Sequence, residues 1–143
     1  MSERVDPVAH LRELADTAAR SADVLAEQIR AATQMVRETV QGGGTLFFCG
    51  NGGSAADAQH IATEYVVRYM RTRRPLRAIA LTTDTSLLTA AANDFSFDEV
   101  FSRQVEALGR PGDVAVAMTT SGASANVNAG LRKAREMGLR TVG

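Results

Sequence analysis

His60 and Glu64 stand four residues apart in SAADAQHIATEYVVRYM, residues 54–70. On a helix that spacing points both side chains the same way. An imidazole and a carboxylate on one face suit zinc, but a catalytic zinc site usually takes three protein ligands and an open position. The pair alone is therefore short of a metal site. The carboxylate could equally act as a general base against a carbon acid, and a plain surface hydrogen-bonded pair would use the same spacing.

Two loops add a second kind of chemistry. Directly before this segment lies Gly50-Asn51-Gly52-Gly53-Ser54, between an apolar run and the helix. Such a turn leaves backbone N–H groups and the positive end of a helix dipole aimed at one spot, where an anion can bind. Glycine turns of this kind also occur for packing alone. The second loop, within AMTTSGASAN at 117–126, places Thr119, Thr120, Ser121 and Ser124 around Gly122, again between an apolar strand and a helix. One hydroxyl is enough for a helix cap, so four point to a ligand. Hydroxyls and N–H groups with no lysine suit a phosphomonoester held by hydrogen bonds. GNGGSA also fits a dinucleotide fingerprint, but its acidic partner would have to be Asp84, rather far on, and the Ser/Thr loop would go unexplained.

These groups need a frame that brings loop ends together. TLFFCG (45–50), RAIALTT (77–83) and DVAVAMTT (113–120) read as buried parallel strands, and residues 140–142 begin a fourth. Helices are expected over 54–70 with Ser54 as N-cap, over 86–93, over 97–108 and over 124–138, with a turn at 109–112. Strands alternating with helices give a doubly wound parallel sheet covered on both sides, with ligands at the carboxyl ends of its strands. Ahead of it, Asp6-Pro7 opens a helical pattern, and periodic apolar sets up to Val40 predict a helical hairpin over 7–41. The whole reads as one domain over 1–143, with the α/β core at 45–143. A core strand is an odd place for such a domain to stop, so a further strand and helix are expected beyond it.

Composition narrows the class. The 143 residues carry 16 basic and 16 acidic side chains, which leaves no global pull toward nucleic acid or anionic membrane. The opening MSERVDPVAHLRELAD is charged from the start, no run matches a membrane span, and the single cysteine suits a reducing compartment. The expectation is a cytoplasmic domain with no membrane or nucleic-acid partner. His10 reads as solvated, Cys49 as core, and Arg68, Arg71, Arg73, Arg74 and Arg77 as a basic cluster that is mostly a solvated face. Asn93-Asp94 ends a helix and could either cap it or present a carboxylate to sugar hydroxyls.

CGNGGSAADAQH-x-x-x-E, ANDFSFDEVFSRQVEALGRPGDV and TTSGASANV together resemble the phosphoheptose isomerases of the sugar isomerase (SIS) superfamily. The resemblance runs over nearly the whole chain. It implies a three-layer, flavodoxin-like parallel sheet, a homotetramer with active sites between subunits, and conversion of sedoheptulose 7-phosphate to D-glycero-D-manno-heptose 7-phosphate through an enediol. That reaction feeds heptose into lipopolysaccharide and other surface glycans. It also implies one zinc per subunit held in part by His60 and Glu64, with Glu64 the catalytic base. Ser54, Thr119, Thr120, Ser121 and Ser124 would bind phosphate, and Asn51, Gly52, Gly53, Arg68, Asn93 and Asp94 the rest of the substrate. In the family a C-terminal helix carries a glutamine and a histidine that complete the zinc site, and that histidine partners the glutamate in catalysis. The chain departs from the common pattern at Thr119, often serine, and at Ala123, often asparagine. Non-catalytic SIS proteins, such as those that associate with the DnaA initiator or sense sugar phosphates, have no use for an acid/base pair, and Glu64 beside His60 argues against that alternative.

Overall fold

The computed structural model describes residues 6–143, in two compact units divided after Gln34. The first holds helix α1 (Pro7–Val24) and the start of helix α2 (Ala26–Gln41). Asp6 caps α1 as its sequence predicts, its carboxylate accepting from the Val8 N–H at 3.0 Å ahead of the preset φ of Pro7. The expected hairpin is absent. Only Leu25 separates the helices, and it keeps the i to i−4 ladder, donating to the Ser21 carbonyl at 2.9 Å and accepting from Ile29 at 2.8 Å. One residue bonded helically on both sides continues a helix and cannot reverse it. No side chain of α1 is buried, and Val8, Leu11 and Leu14 are exposed.

The second unit is built on a parallel sheet of β1 (Leu46–Gly50), β2 (Ala78–Ala80), β3 (Val114–Met118) and β4 (Arg140–Val142), in the order β2-β1-β3-β4. All five residues of β1 are buried, as the central strand of a sheet covered on both faces requires. Its alternate side chains serve two cores. Phe47 and Cys49 pack with Val100, Phe101, Val105 and Val127 on one face. On the other, Leu46 and Phe48 pack with Ala58, Ala62, Val36 and Val40. Burying a side chain such as Phe47 contributes roughly 1.5–3 kcal/mol.

Helices α3 (Gly53–Val66), α4 (Thr85–Asp94), α5 (Ser102–Leu108) and α6 (Ala125–Glu136) complete the unit. Several ends depart from the expected spans for local reasons. Helix α3 begins one residue early because Gly52, at φ +56°, takes the N-cap position assigned to Ser54. It stops at Val66, four residues short. There Arg73 donates to the carbonyls of Glu64 and Tyr65, both at 2.7 Å, and closes the helix end. Strand β2 keeps only three of seven expected residues, since Asp84 caps α4 through the Leu87 N–H at 2.9 Å and the chain must leave the sheet to reach it. The helix expected over 97–108 breaks into a 3-10 turn, Phe97–Glu99, and α5, with Val100 and Phe101 buried between them. Asp113 lies outside β3 and uses its carboxylate instead, accepting from the Thr45 N–H at 2.7 Å and the Arg110 N–H at 2.9 Å.

Candidate active site

The strand order makes β1 and β3 neighbours whose following connections leave on opposite faces, the switch point at which doubly wound sheets bind ligands. Both loops singled out by sequence emerge there. Gly50 ends β1 with no room for a side chain, because a Cβ would lie 2.7 Å from the Ser54 Cβ and 2.9 Å from the Met118 carbonyl. That close approach brings the start of α3 against the end of β3. Ser54, relieved of capping, sits in the first turn of α3, where backbone N–H groups have no partner inside the helix.

The second loop supplies a ring of hydroxyls. Thr119 Oγ1 lies 3.1 Å from Ser124 Oγ and 3.5 Å from Ser121 Oγ. Ser121 Oγ accepts from the Ala123 N–H at 3.1 Å, and Asn128 ties down the Gly122 carbonyl at 3.0 Å. Ser124 is the N-cap residue of α6 but makes no capping bond with its side chain, which keeps its hydroxyl in the ring. The loops enclose a cavity of about 210 Å³ lined by Asn51, Gly53, Ser54, Thr119, Thr120 and Ser124. No lysine or arginine among the described residues lines it. It is a cradle of neutral donors beside two helix N-termini, suited to an anion that arrives fully charged.

Asn126 is a residue that sequence reasoning missed. Its side chain is 3% exposed and exchanges two hydrogen bonds with Asn51, each 2.9 Å, while its Oδ1 also accepts from the Val127 N–H at 2.9 Å. An amide pair across 75 residues of chain leaves no local pattern to read.

His60 and Glu64 share one face of α3 as expected, with His60 Nε2 3.6 Å from Glu64 Oε1. The imidazole is 76% exposed and the carboxylate 31%. They line a separate, mainly apolar cavity of about 460 Å³ with Tyr65, Tyr69 and Arg73. Ten helical residues separate Ser54 from Glu64, an axial rise of about 15 Å. The pair fits two positions of a metal ion, and no third His, Cys, Asp or Glu joins it among the described residues. Asn93 and Asp94 lie elsewhere again, at the end of α4, bonded to each other at 2.8 Å. Asp94 lines a cavity of about 360 Å³ with Phe95, Arg103 and Gln104. Arg68 is exposed on the irregular segment after α3, and Gly52 is exposed in the first loop. The structure thus brings Ser54, Thr119, Thr120 and Ser124 to one cavity, leaves Ser121 exposed outside its lining and 3.5 Å from Thr119, and sets His60–Glu64 and Asn93–Asp94 apart.

The SIS-domain sequence profile matches residues 9–143. Phosphoheptose isomerase of Paramagnetospirillum magneticum is 54% identical over 133 residues, covering 93% of this chain and 69% of that relative. The chain belongs to the phosphoheptose isomerase family of SIS domains. Phosphoheptose isomerase of Roseiflexus is 56% identical over 128 residues, 90% of this chain and 65% of that one. The solved phosphoheptose isomerase from Neisseria gonorrhoeae superimposes with a TM-score of 0.86 at 45% identity, over 94% of this chain and 70% of that one. The chain spans about two thirds of the length of these phosphoheptose isomerases. Membership agrees with the parallel sheet, its order and the loop cradle at the switch point.

Proposed function

We propose that this chain is an aldose–ketose isomerase acting on sedoheptulose 7-phosphate to give D-glycero-D-manno-heptose 7-phosphate, for heptose and surface-glycan synthesis of the lipopolysaccharide type. The observation that carries the reading is the neutral cradle formed by two strand-to-helix loops at the β1–β3 switch point, in a chain 54% identical to a phosphoheptose isomerase. The phosphate, remote from the reacting carbons, would lie among Ser54, Thr119, Thr120, Ser121 and Ser124. Its binding energy would hold the sugar in register for proton transfer.

The reaction moves a proton between adjacent carbons. A base removes a proton from C1 of the ketose, the C1–C2 double bond forms as the C2 carbonyl oxygen takes up a proton to complete the enediol, and a proton is then delivered to C2. Loss of the O1 proton leaves the C1 aldehyde and a C2 hydroxyl. Glu64 is the base, on a helix face that grows from the phosphate loop. His60 and Glu64 would hold a zinc ion together with donors from outside the described residues, and zinc when bound would polarise the oxygen on which charge develops. Arg68, Asn93 and Asp94 are assigned to the sugar end. A homotetramer is part of the proposal, supported by the exposed Val8, Leu11 and Leu14 of α1 and by the incomplete donor set. Cytoplasmic residence is supported by the lone buried Cys49 and by the fact that no helix among the described residues is long and apolar enough to cross a membrane.

The test is turnover of sedoheptulose 7-phosphate by the intact protein and by its Glu64→Gln variant. The expected loss in kcat is about 10²–10⁴-fold, the range general-base catalysis supplies, with sugar-phosphate binding largely retained by calorimetry. Undiminished turnover in the variant would remove Glu64 from the base role. Binding without turnover in the wild type would make the chain a sugar-phosphate receptor.

A further inference from the structure

We propose that Asn126 is a positioning residue for the phosphate cradle, acting through Asn51 to lock the two loops at one fixed separation. The inference rests on the cradle reading above, and nothing in the sequence pattern points to it. Asn51 follows β1 and Asn126 lies in the first turn of α6, after β3, so the pair spans the mouth of the crevice. Each amide donates to the other's oxygen at 2.9 Å, which satisfies a donor and an acceptor on both sides. Asn126 is fixed further by the Val127 N–H on its Oδ1 and by burial to 3% exposure, whereas Asn51 is half-buried and lines the cradle. The buried amide is therefore the anchor and the cradle amide the part it holds.

The arrangement matters because the cradle has no fixed cation among the described residues. Neutral donors grip an anion only when several converge within hydrogen-bond distance at once, and such bonds weaken steeply with misalignment. Ser54 stands on one lip, and Thr119, Thr120 and Ser124 stand on the other. A change in lip separation would spoil convergence without removing any donor. Asparagine suits the task where aspartate does not, since a carboxylate there would lose the donation to Asn51 and set a negative charge beside a bound anion.

The experiment uses the intact protein with inorganic phosphate and sedoheptulose 7-phosphate as probes, in Asn126→Ala, Asn51→Ala, the double variant and Ser124→Ala. Expected is a rise of about tenfold in KM and in the phosphate inhibition constant for Asn126→Ala, with kcat falling less than KM rises. The double variant should bind phosphate no more weakly than Asn51→Ala alone, because with Asn51 gone Asn126 has no bond left to the cradle. Phosphate should raise the thermal midpoint of the wild type and lose most of that effect in Asn126→Ala. Should Asn126→Ala fold poorly, Asn51→Ala removes the same two bonds from the more exposed side. A phosphate constant within twofold of wild type in Asn126→Ala and Asn51→Ala, with Ser124→Ala weakened, would overturn the inference and leave the cradle standing. Unchanged phosphate binding in Ser124→Ala as well would overturn the cradle itself.

Discussion

Cys49 lies near the carboxyl end of β1 with 4% of its surface exposed, and burial pushes its thiol up to about 12. The thiolate is the reactive form, so the side chain is inert in the folded protein. An unfolded thiol ionises from about 9, the ordinary value, while the folded one stays protonated to about 12. Between those values the unfolded state binds fewer protons, so stability falls as pH rises. Alkylation near pH 8 should be at least about a hundredfold slower in the native protein than in urea, and the urea midpoint should fall as pH climbs past about 9. Rapid native labelling would show that β1 opens far more readily than its burial implies. At this scale the sequence was readable wherever side-chain type carried the message. Ser54, Thr119, Thr120 and Ser124 do line one cavity, and His60 does meet Glu64. Asn126 and Arg73 were not readable, because an amide on an amide and a guanidinium on two carbonyls have meaning only once their partners are in place.

Elements were legible in kind and less so at their ends. Strands β1 and β3 announced themselves as apolar runs closed by glycine or hydroxyl loops, and α6 ends at the Gly138 turn as expected. The ends of α3 and β2 moved because Gly52, Arg73 and Asp84 set them through contacts that apolar periodicity does not encode. Asp113 is the same kind of residue seen from the other end of the sheet. It is buried to 6% exposure and satisfies the N–H of Thr45, which leads into β1, and that of Arg110 in the preceding turn. Asp113→Ala would leave both donors without that acceptor. A loss of roughly 2–4 kcal/mol is expected, read as a lower urea midpoint at unchanged slope. A midpoint within experimental error of wild type would mean that water replaces the carboxylate.

For the molecule as a whole, the parallel sheet and its flanking helices followed from the alternation of strand and helix patterns. The helical path through Leu25 did not, since apolar periodicity on both sides of one residue fits a bend as well as a continuation. The sheet order has a consequence for kinetics. The β1–β3 pairing joins Leu46 to Val114, and the Thr45–Asp113 bond beside it closes a separation of 68 residues. Contacts so distant along the chain form only after a large loop-closure entropy has been met, which slows folding. The lips of the cradle are therefore far apart until the central pair exists. Inorganic phosphate should slow unfolding several-fold in stopped-flow experiments and leave the refolding rate unchanged, the behaviour of interactions absent from the transition state. Faster refolding in phosphate would mean that the loops meet before the strands do. On this topology the anion is a latch on a finished door, and the chain must find its central pairing without help from the molecule it binds.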